Sequence, residues 1–510
     1  MLTALDYIIL AAYLLGVAAF GIIVGGRQKN TTDYFLGGRN LPWWAVCFSI
    51  VATETSTLTV IGVPAVAYGG SMTFLQITAG YVVGRTVVAV WFLPRYYQGQ
   101  LVTAYAFLGK RFGDGMRLAA SSAFLVTRLL ADGVRLFATA IPLKVIADGA
   151  GVSVSYMEII AVMGFITVTY TLIGGIRAVV WMDVVQMVLY IGGGLIALFF
   201  LLYAVPDGWW QHAAAAGKVK TLYTGAGETF ASWFTQPYVL LTAVVGGAVF
   251  SMASHGTDQL IVQRLLTCRS VSGGQKALVG SAVIVVVQFA LFLVIGVLLW
   301  TFYQGQTPEA MGMSRADEVF PRYIMEGLPP GLSGLLLAGI IAAAMSTLSS
   351  SLNSLASSSM LDIYHRLRRR VAGEVRSLRT ARLMTLFWGI LFVAFASLFE
   401  NTRNPVVELG LAIASFTYGG LLGAFLLGLF TRRTVQADAV IAFFISIVVM
   451  VVIIFGVWYS PSEGWLFYFA PGDDVIAARG LRAIGWPWYT VTGSLITVAA
   501  GALLGLRHRT

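Results

Sequence analysis

Charged residues are scarce in this chain of 510 residues, where Asp, Glu, Lys and Arg together make up 11%. Soluble globular domains carry about 25%. Hydrophobic residues account for 58% of the chain, and the mean hydropathy is +0.81. Because so few charges cannot cover the surface of a soluble protein of this length, the shortage predicts a polytopic membrane protein.

Cysteine is nearly absent and the common enzymatic motifs are missing. Cys47 and Cys268 are the two cysteines, too few for a disulfide framework. The sequence has no phosphate-binding loop and no nucleophile elbow. His255 stands without the spacing of a metal site, which favours a core or gate residue. We therefore expect neither an enzyme nor an ATP-driven pump. No cleavable signal is expected either, because the first apolar stretch, 7–25, is as long as a span and lacks a basic start and a small-residue cleavage site.

Long apolar segments are abundant. Thirteen of them can cross a bilayer, given about 20 residues for each crossing. They are predicted near 4–25, 41–68, 73–95, 118–147, 154–174, 178–204, 236–263, 274–303, 331–363, 381–400, 405–430, 436–458 and 485–506. The longest outer loops, near 205–235, 304–330 and 459–484, are expected to form short helices or caps.

Basic residues are distributed unevenly over the loops. An odd number of spans places the two termini on opposite sides of the membrane. With the N-terminus outside, the inner loops and the C-terminus hold 22 of the 33 Lys and Arg residues, Arg264 among them. Because cytoplasmic loops carry the excess of Lys and Arg, we predict a plasma-membrane protein with its N-terminus outside and its C-terminus cytoplasmic. The positive charge is thereby explained by topology, and no nucleic-acid partner is expected.

Two of the predicted spans look interrupted. The second contains the polar run 52–57 (ATETST), and the seventh contains 254–259 (SHGTDQ) after a pair of glycines. Irregular backbone within a membrane is tolerated only where protein or a water-filled cavity satisfies it. Five spans separate the two interruptions, so the second group of five enters from the opposite side. This is the pattern of an inverted-repeat secondary transporter.

These observations predict an all-α fold with about thirteen transmembrane helices in a single transporter domain. The expected divisions are an extra N-terminal helix at 1–40, a first repeat at 41–204, a second repeat at 236–431 and two C-terminal helices at 436–510.

The ninth predicted span carries nine hydroxyl side chains in 346–359 (STLSSSLNSLASSS). Ser and Thr are tolerated in membrane helices because each hydroxyl can bond the carbonyl one turn back, which accounts for most of this segment as packing. Ser346 and Thr347 differ, because they follow three alanines that leave room against the helix. A pair of neutral oxygens facing a cavity suits a hard cation such as Na⁺.

Ionisable residues inside spans are candidates for function. Glu54 lies in the second-span interruption; the alternative is a water-facing carboxylate that caps a half-helix. Asp183 begins the sixth span; the alternative is an exposed first-turn carboxylate. Asp132 can pair with both Arg128 and Arg135. These three form either a structural ion-pair network or, where one arginine is partly unpaired, a site for an anionic substrate.

Four segments together resemble the sodium/solute symporter family. They are 48–64 (FSIVATETSTLTVIGVP), 174–186 (GGIRAVVWMDVVQ), 256–264 (GTDQLIVQR) and 337–364 (LAGIIAAAMSTLSSSLNSLASSSMLDIY). The resemblance implies a five-plus-five inverted repeat of the leucine-transporter type, with Na⁺ as the coupling ion. It also implies a Na⁺ site between the second and ninth spans, formed by the backbone carbonyls of Ala52, Thr55 and Ala343 and the hydroxyls of Ser346 and Thr347.

Further roles follow from the same resemblance. Asp183 matches an acid that is linked to Na⁺ coupling, and in some members to a second Na⁺ site. Positions that hold sugar ligands in the family look like Thr78, Ser251 and Leu411 here, which disfavours a hexose. Pocket or gate positions are expected at Thr53, Glu54, Ser56, Thr59, Phe74, Gln76, Arg128, Arg135, Ser254, His255, Phe416 and Tyr418.

The sequence thus predicts a Na⁺-coupled symporter that imports a small organic solute across the plasma membrane by alternating access. Its partners are the solute, Na⁺ and the lipid bilayer, and its oligomeric state is left open. The arginines of the fourth span and 415–423 (SFTYGGLLG) favour a carboxylate, a vitamin-like solute or another anion. Two alternatives remain: a proton-coupled carrier of the same fold that depends on Glu54 and Asp183, and a sugar or amino-acid symporter.

Overall fold

The computed structural model describes residues 2–149, 151–313, 315–368, 374–399 and 406–508. The side chains at some further positions, including all of 406–416, lie outside that description. In the described part, eight helices are long and apolar enough to span a membrane, or nine when one bent pair counts as a span. The number thirteen stays a prediction, because several predicted spans are kinked, broken or polar in the structure.

Helices follow one another along the first half of the chain with short connections. They are α1 (Ala4–Gly25), α2 (Thr31–Leu36), α3 (Trp43–Glu54), α4 (Thr57–Gly69), α5 (Leu75–Val87), α6 (Leu93–Gln98), α7 (Tyr105–Phe112), α8 (Asp114–Gly149), α9 (Tyr156–Ala204), α10 (Trp209–Ala215) and α11 (Phe230–Thr235). Two 3-10 turns occupy Gly37–Arg39 and Met72–Phe74, and a π-helical segment, Val88–Phe92, joins α5 to α6.

The second half is built in the same way. Its helices are α12 (Gly247–Gly256), α13 (Gln259–Leu265), α14 (Val271–Phe302), α15 (Val319–Glu326), α16 (Leu332–Ser358), α17 (His365–Arg368), α18 (Glu374–Ala396), α19 (Val406–Phe430), α20 (Gln436–Gly456), α21 (Asp473–Arg479) and α22 (Pro487–Gly505). π-Helical segments occupy Thr242–Gly246 and Ser359–Tyr364, and 3-10 turns occupy Glu309–Met311, Ala316–Glu318 and Ser397–Phe399.

The second predicted span is broken where the sequence indicated. Helix α3 ends at Glu54, α4 begins at Thr57, and the two are bent by 64°. Thr55 and Ser56 between them are extended, with φ/ψ of −82°/100° and −93°/172°. Because a helix end leaves its last carbonyl groups without intrahelical donors, the break makes backbone oxygens available to a ligand.

The seventh predicted span is also divided. Helix α12 ends at Gly256, and α13 begins at Gln259. Asp258 between them is extended and caps α13, because its carboxylate accepts a hydrogen bond from Leu260 N at 2.9 Å. Both interruptions on which the repeat prediction rests are therefore present, while the exact residue limits of the repeats stay a prediction.

Helix α9, 49 residues long, consists of two helical segments that meet at a kink and correspond to the predicted spans 154–174 and 178–204. A straight helix of that length would measure about 74 Å, more than twice the hydrocarbon thickness of a bilayer. Gly175 divides it, with φ at +58° and ψ at −157° inside the helix. A Cβ at this position would lie 2.6 Å from Tyr34 O, so both the conformation and the close approach require glycine.

A small sheet interrupts the otherwise helical architecture of the described residues. Strands β1 (Val457–Ser460), β2 (Gly464–Phe467) and β3 (Arg482–Ala483) are antiparallel in the order β2-β1-β3. They lie in the loop near 459–484, for which the sequence predicted only short helices or caps. The short aromatic runs at 457–459 and 465–467, on either side of a turn-like segment 460–464, are a weak strand signal within so apolar a chain.

Helix α16 forms the centre of the molecule. Every residue from Leu336 to Ser358 is buried, the hydroxyl-rich stretch included. The helix packs against α9, α1, α8 and α18, and it also contacts α3, α4 and α13 next to the two breaks. The fold therefore brings the hydroxyl side chains of α16 beside both interrupted spans.

Candidate functional site

The break between α3 and α4 lies against the middle of α16. On one side of the break, Thr53 Oγ1 and Ser350 Oγ are 3.1 Å apart. On the other side, the Thr57 hydroxyl donates to Ile340 O at 3.1 Å. Because these two contacts lie before and after the break, residues 52–55 lie beside residues 343–347 of α16.

The oxygens in this region are neutral and buried. The Thr55 hydroxyl donates to Val51 O at 2.8 Å and accepts from Gln288 Nε2 at 2.7 Å, and the Thr347 hydroxyl donates to Ala343 O at 3.2 Å. Ala52 and Ala343 are fully buried. Backbone carbonyls and hydroxyls are the ligands that a hard monovalent cation prefers, so the donor set fits Na⁺.

Asp183 lies directly beside this region. Its carboxylate accepts hydrogen bonds from the Ser346 hydroxyl at 2.6 Å and the Ser49 hydroxyl at 2.5 Å. Arg264 contacts it at 3.3 Å, and both charged side chains are fully buried. The alternative of an exposed carboxylate at Asp183 is therefore wrong. A carboxylate thus lies one hydroxyl away from the neutral oxygens, and its charge is balanced by Arg264.

Arg264 was assigned to an inner loop by the sequence, and this assignment is wrong. The guanidinium lies in α13 and donates to Leu260 O at 2.7 Å, to Ser49 and to Ser350. Sequence reasoning missed it because a single Arg at the end of an apolar run resembles a topology signal. The hydroxyl of Ser350, interpreted from sequence as packing, also takes part in this charged cluster.

Glu54 forms a second buried ion pair. Its carboxylate contacts Arg85, whose guanidinium also donates to Ser281 Oγ at 2.7 Å. His255 Nε2 is 3.7 Å from the same carboxylate, and His255 Nδ1 is 2.8 Å from Ser254 Oγ. Glu54 is thus held by a partner on α5 rather than serving as a helix cap. Arg85 had been recognised as lying in a span but not as a site residue.

A third cluster surrounds Arg128. Its guanidinium contacts Asp258, donates to the Tyr418 hydroxyl at 2.5 Å and reaches Asp132 at 3.3 Å. The Tyr418 hydroxyl donates in turn to Asp258 at 2.8 Å. Ser351 donates to Asp132. This arrangement favours the structural reading of Arg128, because its charge is balanced by two carboxylates.

Arg135 differs from Arg128 in its surroundings. It contacts Asp132 at 3.3 Å, and 26% of its side chain is exposed, against 7% for Arg128. It lines a cavity of about 10 Å³, room for one water molecule, together with Ser56, Asp132, Thr139 and Thr347. An arginine with one shared carboxylate partner and access to a cavity can bind a carboxylate or another planar anion.

The other predicted pocket residues are dispersed. Phe74 stacks on Phe289 with ring centroids 5.2 Å apart. The amide of Gln76 bonds Tyr238 O at 2.6 Å and Tyr223 N at 3.0 Å, which ties it to an outer segment. Thr59 is half-buried on α4, and the side chain of Phe416 lies outside the described residues.

One interrupted helix lies in each half of the chain, and oxygens suited to a cation lie beside the first interruption. This arrangement is typical of a secondary transporter. The sequence matches the sodium:solute symporter family over residues 34–446. The chain therefore belongs to the sodium:solute symporter family. It is a Na⁺-coupled solute symporter of the leucine-transporter fold that works by alternating access, and not an enzyme.

Several curated proteins and a solved structure are similar over nearly the whole chain. The sodium/sialic acid symporter NanT of Aliivibrio fischeri is 28% identical over 98% of this chain and 92% of its own. SiaT of Proteus mirabilis, also a sodium/sialic acid symporter, is 26% identical over 93% and 94%. A substrate-bound, outward-open structure of a Na⁺-coupled sialic acid symporter aligns at 25% identity with a TM-score of 0.84, covering 99% and 98% of the two chains.

Proposed function

We propose that this symporter carries a small organic anion whose carboxylate binds Arg135, and that it binds the driving Na⁺ at the break between α3 and α4. The Na⁺ ligands are the carbonyls of Ala52, Thr55 and Ala343 and the hydroxyls of Ser346 and Thr347, with Asp183 as the coupling acid. This assignment rests on the contacts that place 52–55 beside 343–347.

The substrate proposal rests on a cavity that is lined both by Arg135 and by a proposed Na⁺ ligand. Arg135 and Thr347 line the same space of about 10 Å³, so an anion that enters when this space widens would lie on the arginine next to a proposed Na⁺ ligand. Opposite charges a few ångströms apart attract strongly where the surroundings are buried. Na⁺ binding therefore favours substrate binding, and by linkage the substrate favours Na⁺.

Names of related proteins are consistent with an anionic substrate. Besides sialic acid symporters, the relatives include a human sodium-coupled monocarboxylate transporter at 24% identity and a human sodium/iodide cotransporter at 28%. A glucose cotransporter from Vibrio parahaemolyticus is also similar, at 26%. Arg135 beside the cation site favours a carboxylate over a neutral sugar for this chain.

The membrane and orientation are proposed from charge. The chain lies in the plasma membrane with its N-terminus outside and its C-terminus in the cytoplasm, because Lys and Arg are concentrated in the loops on one side. In that orientation Na⁺ moves inward down its gradient, and the membrane potential adds about 2.3 kcal/mol per charge for each 100 mV.

The Na⁺ assignment is tested by removing the two hydroxyls. We expect Ser346→Ala with Thr347→Val to raise the Na⁺ concentration needed for half-maximal uptake by roughly tenfold or more, because two ligands are lost, each comparable to a buried hydrogen bond to a charge. Ser354→Ala is the matched control, since that hydroxyl donates only within α16, to Ser351 O at 3.0 Å. Unchanged Na⁺ dependence in the double variant, in uptake and in thermal stabilisation by Na⁺, would refute the site.

The substrate assignment is tested by comparing the two arginines. We expect Arg135→Gln to raise KM for a carboxylate substrate by roughly tenfold or more with little change in thermal stability, because that side chain is partly exposed. Arg128→Gln should instead destabilise the fold by about 3–5 kcal/mol, since it leaves the buried Asp258 carboxylate without its cationic partner.

A thermal-shift screen with sialic acid, pyruvate, biotin and glucose, each with and without Na⁺, identifies the substrate to use. Ligand binding to the folded state raises apparent stability. A glucose response that survives Arg135→Gln would contradict the carboxylate proposal, and uptake driven by a pH gradient without Na⁺ would contradict the ion assignment.

A further inference from the structure

A basic recess lies away from the transport site, at the ends of α6, α7 and α19. It measures about 340 Å³ and is lined by Arg95, Gln98, Leu101, Phe107, Lys110 and Arg111, with the Gly99 backbone at its floor. Small-molecule sites occupy roughly 300–1,000 Å³. The recess is therefore large enough for the headgroup of a lipid.

Its three cations are not neutralised by carboxylates. In the described residues, Lys110 donates to Gly99 O and Arg111 to Thr431 O, each at 2.6 Å, and Arg95 donates to Trp91 O. The sequence explains this: it contains no Asp or Glu between Glu54 and Asp114. Three positive charges thus line one space. In the described part of the chain their partners are backbone carbonyls and, for Arg111, the ring of Phe112 at 4.7 Å, so their charge remains available to an anion.

An exposed aromatic pair adjoins the recess. Trp91 and Phe430 meet edge to face with ring centroids 5.9 Å apart, and they are 49% and 63% exposed. Each aromatic is linked to one of the arginines, because Arg95 binds the carbonyl of Trp91 and Arg111 binds the carbonyl that follows Phe430. Exposed aromatics beside cations are typical of the membrane–water interface.

We propose that this recess binds one anionic phospholipid, with its phosphate on Arg95, Lys110 and Arg111 and an acyl chain along Trp91 and Phe430. The aromatic pair decides between a lipid and a free phosphate, because a soluble anion gains nothing from an apolar flank. Under the proposed orientation the lipid belongs to the cytoplasmic leaflet, where basic pockets between spans meet anionic headgroups.

The proposal is tested by native mass spectrometry of the full-length chain with added phosphatidylglycerol, phosphatidylcholine or inorganic phosphate. We expect one phosphatidylglycerol to bind preferentially, with affinity reduced roughly tenfold or more in Arg95→Gln/Lys110→Gln. Arg376→Gln/Arg379→Gln removes two exposed charges from α18 and should leave binding unchanged. Trp91→Leu should weaken phosphatidylglycerol binding less than the double charge variant does.

Several outcomes would overturn the proposal. They are equal binding of phosphatidylcholine, displacement of phosphatidylglycerol by millimolar phosphate, wild-type affinity in Arg95→Gln/Lys110→Gln, and an equal loss in the α18 control. If the double variant does not fold, Lys110→Gln alone replaces it, because Lys110 is exposed and its loss disturbs no packed side chain. Wild-type phosphatidylglycerol binding in that single variant would count against the recess. The readout is independent of transport, so it also separates this proposal from the proposed function.

Discussion

Individual charged side chains in the interior are arranged in pairs, and the partners come from distant parts of the sequence. Asp183 and Arg264 are 81 residues apart, and Arg128 and Asp258 are 130 apart. Burial of an isolated charge is expensive, so each of these residues depends on the correct packing of two helices. At the residue scale, the buried charges that stabilise the fold are therefore also the candidates for ion coupling.

A double-variant cycle separates those two roles for Asp183. We expect Asp183→Asn to destabilise the protein by about 3–5 kcal/mol, because Arg264 is left buried without its counter-charge. Adding Arg264→Gln should restore much of that stability, since a neutral pair of similar size replaces the ion pair. The measurements are thermal unfolding and Na⁺-dependent uptake.

The Na⁺ dependence of uptake in the double variant shows whether Asp183 acts in ion binding or only in stability. If Asp183 supplies charge to the ion site, uptake stays insensitive to Na⁺ in the stable double variant. Recovery of normal Na⁺ affinity together with stability would mean that Asp183 only holds the fold.

At the scale of elements, a cluster of hydrogen bonds around Asp362, called the clasp below, joins the end of α16 to its neighbours. The Asp362 carboxylate accepts from Arg117 Nε at 2.7 Å, from the Thr103 hydroxyl at 2.6 Å and from the Ser358 hydroxyl at 2.9 Å. These contacts connect the π-helical segment after α16, helix α8 and the turn before α7. Gln259 adds a bond from α13 to the Ser357 hydroxyl at 3.1 Å. In the proposed orientation this cluster closes the cytoplasmic side.

Loss of the clasp should favour opening on that side. We expect Asp362→Asn to increase the rate at which a thiol probe modifies Ser357→Cys, in a background that lacks Cys47 and Cys268, because Ser357 is fully buried while the clasp holds. A charge-assisted hydrogen bond contributes about 1.5–3 kcal/mol, enough to change the open population roughly tenfold or more.

Asp114 provides the matched control for this experiment. It forms an exposed pair with Arg366 at 3.4 Å, near the same end of the molecule. Exposed pairs contribute little, so Asp114→Asn should leave the labelling rate unchanged. An equal increase in both variants would show that general charge, and not the clasp, controls access.

At the scale of the whole molecule, ion pairs connect the two predicted repeats. Asp183 and Arg128 belong to the first, and their partners Arg264 and Asp258 belong to the second. Glu54 of the first also lies 3.7 Å from His255 of the second. Motion of one repeat against the other therefore changes the surroundings of paired charges. In the proposed orientation the extracellular side is covered by the segments between α14 and α16, where Asp317 lies next to Gly62 of α4.

Asp317, in the segment between α14 and α16, predicts that the stability of the protein depends on pH. Burial, the largest cause, raises the pKa of the Asp317 carboxyl; Arg315 opposes the rise and Glu318 adds to it. The folded state therefore holds this proton more tightly than the unfolded state. The associated stability is present at low pH and is lost as the pH rises through the folded pKa.

We expect Asp317→Asn to raise the melting temperature at pH 7.5 by about 1 °C or more, because it removes a buried carboxylate charge. The advantage should shrink as the pH falls through the pKa of Asp317, where the wild-type carboxyl becomes neutral. Glu309→Gln, at an exposed acid of the same outer segment, is the control. A stabilisation that does not vary between pH 7.5 and 4 would exclude the carboxyl charge as its cause.

The sequence by itself determined the class of protein, because hydropathy and charge asymmetry are local properties that survive without a structure. It also located both breaks, since polar and glycine-rich runs inside apolar segments can be read directly, and it singled out Ser346 and Thr347. The division of α9 at Gly175 falls between the predicted spans 154–174 and 178–204. The sheet of β1, β2 and β3 was missed, because short aromatic strands give weak signals in so apolar a chain.

Only the tertiary structure decided which charges meet. Arg264 looked like a loop residue and is fully buried on Asp183, Arg85 pairs with Glu54, and the two arginines of α8 divide into a balanced one and one that faces a cavity. Sequence spacing covers partners one turn apart, such as Arg128 and Asp132. Partners on different helices are chosen by how the helices pack, and that choice has no local signature.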